Sequence, residues 1–154
     1  MEKLHIDRKA SDNKNFHRDF HLAADNGLYY VGENYGDAGI KEYLTQYALN
    51  FYKLLAVDVK KGGLGVLENR FKTVYEKEEW SENLSTTLTE NKLVIKIDKC
   101  PAITYMKSEG HVPSPWYKEL TYTVYDVLAK MCDLKFTVVS YSEEDGKAEL
   151  VFEK

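Results

Sequence analysis

The chain has few of the features that mark secreted or membrane-spanning proteins. Its 154 residues include two cysteines, Cys100 and Cys132, which form neither a CxxC pair nor a dense disulfide framework. No segment approaches the ~18 uncharged apolar residues of a membrane span. The N-terminus has no apolar stretch like that of a signal peptide. We therefore expect reduced cysteines, a cytoplasmic location and no membrane partner.

The charge is spread evenly along the chain. The formal net charge is −4, and Lys and Arg alternate with Asp and Glu rather than forming a basic stripe that could track phosphates. We therefore expect no nucleic-acid partner. The abundant residues are aromatic, with twelve tyrosines and six phenylalanines. Many fall at core-facing positions where a phenol needs a hydrogen-bond partner, so these tyrosines either line a polar cavity or reach the surface.

Hydrophobic spacing in the first half of the chain is helical. After a polar arm at 1–12, residues 13–154 read as a single domain with one core. The pattern predicts a first helix that Gly36 ends and a second that Asp37 caps. The predicted helices span 15–34, 37–55 and 64–80.

In the second half of the chain, apolar and polar residues alternate with a period of two, which is typical of strands. Two stretches with helical spacing interrupt this alternation. Ser114 and Pro115 have the residue types of a helix N-cap and first position. The predicted strands span 84–89, 92–98, 134–141 and 148–152, and the predicted helices span 102–108 and 115–131. Hairpins joined by helices indicate an antiparallel sheet with helices on one face. The predicted fold is α+β, in the order three helices, two strands, two helices, two strands.

Cys100 follows a predicted strand and precedes Pro101, a residue suited to the first position of a helix. The N–H groups and dipole at a helix N-terminus favour a thiolate, so we expect a lowered thiol pKa and a catalytic nucleophile. The alternative is that Cys100 is a small buried filler of the core.

Two imidazoles, His17 and His21, lie four residues apart and share one side of the first predicted helix. They could bind a transition metal such as zinc, with Cys100 or His111 as a further ligand, or they could simply be core histidines. Together with His111 and Tyr47, they are our candidate ligand-binding residues. By contrast, the charged run Glu76–Glu79 at a helix end is interpreted as a solvated surface.

Three short motifs resemble a known family. They are the helix opening Tyr35-Gly-Asp37, the strand end Cys100-Pro-Ala102, and Met131–Phe136 before the last hairpin. Over roughly residues 35–154 the chain resembles the L-2-amino-thiazoline-4-carboxylic acid hydrolase-like family. More distantly, it is similar to the domains of 4-vinyl reductase-like, haem-nitric-oxide-binding-like and TRAPP proteins. The resemblance implies that Cys100 and Cys132 correspond to the two cysteines of the hydrolase-like family.

Three functions remain open from the sequence. The first is a small-molecule hydrolase in which the Cys100 thiolate attacks an amide- or amidine-like carbon, with a histidine as acid or base. The second is a non-catalytic domain that binds a small molecule in a tyrosine-lined cavity. The third is an interaction module that forms a homodimer, as the TRAPP similarity implies.

Overall fold

The computed structural model describes the backbone of residues 14–154 and the side chains from Arg18 onward. The described part has an α+β fold, as predicted, with five helices and one four-stranded antiparallel sheet. The predicted arm at 1–12 lies outside the described residues. The elements are α1 Lys14–Phe51, α2 Lys53–Gly62, α3 Leu64–Lys77, β1 Leu84–Leu88, β2 Lys92–Ile97, α4 Pro101–Ser108, α5 Glu119–Met131, β3 Lys135–Tyr141 and β4 Ala148–Glu153. None of the described helices is long and apolar enough to cross a membrane.

The first helices break at Gly36, as predicted, but extend further along the chain than predicted. Gly36 has a φ of 65° and a non-helical backbone, so α1 consists of two helices that meet at a kink. Beyond it, the chain remains helical past residue 55, as far as Gly62. Hydrogen bonds from Tyr52 N to Ala48 O and from Ala56 N to Tyr52 O bridge the short break after Phe51. The predicted second helix was therefore too short.

Helix α5 begins later than the sequence predicts, and Ser114 binds a distant carboxylate. The Ser114 amide and hydroxyl both donate to the buried carboxylate of Asp25 on α1, with a hydroxyl distance of 2.7 Å. Lys118, not Ser114, is the N-cap residue of α5. Residues 115–118 instead form tight turns, and α5 starts at Glu119.

The sheet has the strand order β1-β2-β4-β3, with all neighbours antiparallel. β4 pairs with β2 on one side and with β3 on the other, so the last strand of the chain lies inside the sheet. Helices α3 and α5 contact the strands. The opposite face carries the cross-strand pairs Lys92–Glu153 and Lys96–Glu149, as expected of a surface that meets water.

Buried residues form two clusters rather than one continuous core. The sheet cluster joins α2, α3, α5 and the strands, and the helical cluster joins α1, α4, α5 and Tyr117. Tyr52 and Tyr125 pack against both clusters. The region between the clusters is where the chain encloses space.

Replacing Phe152 by Ala tests the central position of β4. Phe152 is fully buried and packs against the rings of Phe71, Tyr125 and Phe136. We expect the substitution to lower the free energy of unfolding by about 3–5 kcal/mol in urea titrations. Val139→Ala, at an exposed position of β3, is the matched control and should change it by less than about 0.5 kcal/mol. Equal effects of the two substitutions would contradict the description of the core.

Candidate functional site

A cavity of about 230 Å³ lies between the two core clusters. Residues of both clusters form its wall, including Phe71 and Ala148 from the sheet cluster and Ala102 and Val124 from the helical cluster. Aromatic side chains dominate this wall, with six tyrosines: Tyr47, Tyr52, Tyr75, Tyr117, Tyr125 and Tyr141. The cavity also contains Cys100, His21 and Glu78. A groove of about 810 Å³ between α1 and α5 is larger, but it is an open part of the surface.

Cys100 occupies the position that the sequence predicts. Its backbone is extended, with a φ of −82° and a ψ of 125°, and it is the N-cap of α4, with Pro101 at the start of the helix. The Cys100 amide donates to the Asp145 carbonyl over 2.8 Å. The turn between β3 and β4 is thereby joined to the start of α4, and Cys100 lines the cavity at this junction.

The predicted lowering of the Cys100 pKa is wrong. Burial raises the pKa of the thiol, because an apolar surrounding disfavours the thiolate. The N–H groups of Ala102 and Ile103 act in the opposite direction, but the sulfur forms no capping hydrogen bond with them. The negative charge of Glu78 raises the pKa further. Cys100 is therefore a neutral thiol at neutral pH.

Gly146 allows the β3–β4 turn to approach Cys100. Its φ of 70° is in the left-handed region that favours glycine. A Cβ atom at this position would overlap the Cβ of Cys100 and contact the Ile103 side chain. Asp145-Gly146 is a typical hairpin-turn sequence, and the structure shows that this glycine also closes one side of the cavity.

The tyrosine side chains contribute neutral hydroxyl groups to the cavity. Burial raises the pKa of Tyr47 to about 12 and raises the pKa values of Tyr75, Tyr117 and Tyr125 as well. These phenols remain protonated at any physiological pH. The prediction that Tyr47 is a ligand-binding residue is consistent with its place in the wall.

Two of the tyrosine hydroxyls have no hydrogen-bond partner in the described part of the chain, although their side chains are largely buried. Tyr75 is 6% exposed and Tyr117 is 9% exposed, and neither side chain forms a hydrogen bond there. Their neighbours Tyr52 and Tyr141 do have polar groups nearby, the Arg70 guanidinium and the Thr121 hydroxyl. No sealed side-chain oxygen among the described residues lacks a partner, so the Tyr75 and Tyr117 hydroxyls open into the cavity.

His21 shares the cavity with Cys100. Its Nε2 atom lies 3.0 Å from Oε1 of Glu78, and its side chain is 19% exposed. Glu78 itself is 6% exposed, so the interpretation of Glu76–Glu79 as a fully solvated run is wrong at this position. Helix α3 ends just before Glu78, and the chain then turns so that the carboxylate points inward. The sequence gives no local signal for this turn.

His111 does not line this cavity. It pairs with Asp25 at 2.7 Å and belongs to the network that holds Ser114. The side chain of His17 lies outside the described residues. Among side chains from residue 18 onward, no group of three His, Cys, Asp or Glu could hold a metal ion. A zinc site at His17 and His21 stays a prediction.

Comparisons of the chain with protein-family models, curated proteins and solved structures give no match. The resemblance to the L-2-amino-thiazoline-4-carboxylic acid hydrolase-like family therefore stays a prediction. Arguments about function depend on the cavity itself.

Substitution of Gly146 by Ala tests the close contact with Cys100. Gly110 is a matched control, since it also has a positive φ but has open space around its Cα atom. Gly110→Ala should cost about 1 kcal/mol of backbone strain in the free energy of unfolding. Gly146→Ala should cost more because it adds the overlap with Cys100, and the second substitution Cys100→Gly should recover part of that difference. Equal costs at the two glycines, measured by urea unfolding, would contradict the contact.

Alkylation of Cys100 tests the direction of its pKa shift. A free cysteine has a pKa of about 8.5, and only the thiolate reacts with iodoacetamide. Because burial raises the pKa of Cys100, its labelling rate should increase only at higher pH than in the urea-unfolded chain, as read by peptide mass spectrometry. Burial also raises the pKa of Cys132, which serves as an internal comparison. Rapid labelling of Cys100 at pH 7 in the folded protein would show that the thiolate forms.

Proposed function

We propose that the protein is a small-molecule-binding domain whose ligand occupies the cavity between the two core clusters. The observation that carries the proposal is the pair of Tyr75 and Tyr117 hydroxyls, which open into the cavity and have no hydrogen-bond partner in the described part of the chain. A ligand with a donor or acceptor at this point can form hydrogen bonds with both hydroxyls. Each such bond contributes about 0.5–1.5 kcal/mol.

The volume of the cavity limits the size of the ligand. An engineered apolar cavity of ~150 Å³ is known to bind benzene. The present cavity of about 230 Å³ therefore accommodates a molecule of one or two rings. Its wall combines flat aromatic faces with a few polar groups, which is the usual composition of a small-molecule site.

A second candidate function is thiol-based hydrolysis, because Cys100 and His21 line the same cavity and Glu78 pairs with His21. In this reaction the Cys100 sulfur would add to an amide- or amidine-like carbon, and His21 would accept the thiol proton. His21 would then return the proton to the leaving nitrogen as the C–N bond breaks, and water would hydrolyse the acylated Cys100 and restore the thiol. The raised pKa of Cys100 argues against a preformed nucleophile. We therefore rank hydrolysis second, and rapid alkylation of Cys100 at neutral pH would reverse the order.

Calorimetric titration with benzamide and indole tests the proposed binding function. Both probes are neutral, fit the cavity and can hydrogen-bond, so at least one should bind saturably with one site per chain. For benzamide, Tyr117→Phe should weaken binding by about 2- to 12-fold, because one hydrogen bond contributes about 0.5–1.5 kcal/mol. The thermal stability of the variant should not fall, since its lost hydroxyl has no partner among the described residues.

Tyr122→Phe is the matched control for the loss of a hydroxyl. Tyr122 is exposed on α5, close to Tyr117 in sequence, and does not line the cavity. Its substitution should leave the affinity for benzamide unchanged. Two results would overturn the proposed function: no saturable binding of either probe, or binding that both substitutions weaken equally.

A further inference from the structure

We infer that the ligand of this cavity is an aromatic or apolar carboxylic acid, bound as its anion, whose carboxylate pairs with Arg70 at the edge of the cavity. The inference rests on the proposed ligand-binding function and adds to it the chemical class of the ligand. It follows from the position of Arg70 on α3, the tyrosine hydroxyls around it and its lack of a carboxylate partner in the described part of the chain.

Arg70 continues the side of α3 that faces the cavity. Phe71, Val74 and Tyr75 on this helix line the cavity wall. Residues four apart in a helix lie on one face, so the half-buried Arg70 is placed one turn before Val74 on the cavity side. A helical side chain also leans toward the N-terminus of its helix. The Arg70 guanidinium therefore lies just beyond the wall residues of α3, at one edge of the cavity.

Three tyrosines of the wall, Tyr47, Tyr52 and Tyr125, lie near this edge. The ring centroids of Tyr47 and Tyr52 are 6.5 Å apart, and the Tyr125 ring lies 5.2 Å from that of Phe71, the residue next to Arg70. Burial raises the pKa values of all three phenols, and the positive charge of Arg70 opposes the rise in each, so the guanidinium is near all three hydroxyls. Protonated phenols and a guanidinium are hydrogen-bond donors, and a carboxylate binds through such donors.

Arg70 has no carboxylate partner within the part of the chain that the structure describes. Its neighbour on α3, Lys72, pairs with Glu68 over 2.8 Å, whereas Arg70 forms no ion pair with any described residue. Likewise, no described Asp or Glu contributes to the pKa shifts of the three phenols beside it. A partly desolvated charge without a counter-ion is unfavourable. A ligand carboxylate would supply the counter-ion.

The acidic group of the wall lies at a different end of the cavity and already has a partner. Glu78 is the C-cap residue of α3 and follows Arg70 by eight residues, which corresponds to about 12 Å along a helix axis. Its carboxylate lies 3.0 Å from the His21 ring. A ligand carboxylate at Arg70 is thus separated from that of Glu78. The body of the ligand can then extend along α3 toward the Tyr75 hydroxyl.

The charge available at this edge favours a carboxylate over a phosphate. Among the described residues, no Lys or Arg lines the wall itself, so a doubly charged phosphate would meet a single guanidinium beside it. A carboxylate carries one charge, and its planar shape matches the paired N–H groups of an arginine. The cavity volume of about 230 Å³ leaves room for a ring attached to that group.

Three probes of nearly the same shape separate charge from size. Benzoate, benzamide and benzamidinium are negative, neutral and positive at neutral pH, and each is a single ring with a planar substituent. Calorimetric titration of the full chain should show that benzoate binds about fivefold to tenfold more tightly than benzamide, because a hydrogen bond to a charged group is the stronger one. Benzamidinium should bind more weakly than benzamide. Equal or tighter binding of benzamide relative to benzoate would overturn the inference while leaving the proposed function intact, whereas failure of all three to bind would overturn both.

Arg70→Gln tests the residue that carries the inference. The substitution removes the charge and keeps a polar side chain, so it should weaken benzoate binding by about tenfold and leave benzamide binding unchanged. Lys72→Gln removes an exposed positive charge from the same helix and is the matched control, which should change neither affinity. An unchanged benzoate affinity in folded Arg70→Gln, or an equal loss in both variants, would overturn the role of Arg70. If Arg70→Gln does not fold, the ranking of the three probes on the unaltered protein still decides the ligand class.

Discussion

The close approach of the β3–β4 turn to Cys100 is the contact on which the cavity depends. Gly146 can pack against Cys100 only because it has no side chain, and the bond from the Cys100 amide to the Asp145 carbonyl holds the turn in place. This contact joins the sheet to the start of α4 and thereby connects the two core clusters. The space that remains between the clusters is a partly open cavity, and the burial of its wall residues determines its chemistry.

Burial of the wall determines the protonation state of its tyrosine and cysteine side chains. Phenols and thiols that are removed from water resist ionisation, so the tyrosines and Cys100 are neutral donors and acceptors rather than charged groups. A neutral thiol is a weak nucleophile, and this is why we propose binding rather than catalysis at this site.

Features that depend on local residue order were predictable from the sequence. Pro101 at the start of α4, the two hairpins and the kink at Gly36 all follow from backbone preferences of single residues. The start of α5 was not, because Ser114 is bound to Asp25, a residue far away in sequence, and the helix begins only after Lys118.

The composition of the site was only partly predictable for the same reason. Cys100, His21 and Tyr47 were identified as candidates, and the structure places all three in one cavity. The tyrosine content of the sequence indicated a polar-lined cavity as one alternative, but not which rings would converge. Tyr75 and Tyr117 meet only through packing between elements that are remote along the chain. Glu78 was missed because its burial depends on how the chain turns after α3, whereas the charged residues around it suggested a surface.

A crystal structure of the protein grown with benzamide tests the central claim most directly, because the claim concerns the position of a ligand. The account predicts electron density for one ring between the two core clusters. The amide group should lie within hydrogen-bond distance of the Tyr75 or Tyr117 hydroxyl. Density confined to the protein surface, with the Tyr75 and Tyr117 hydroxyls bonded to protein groups and the cavity closed, would contradict the account.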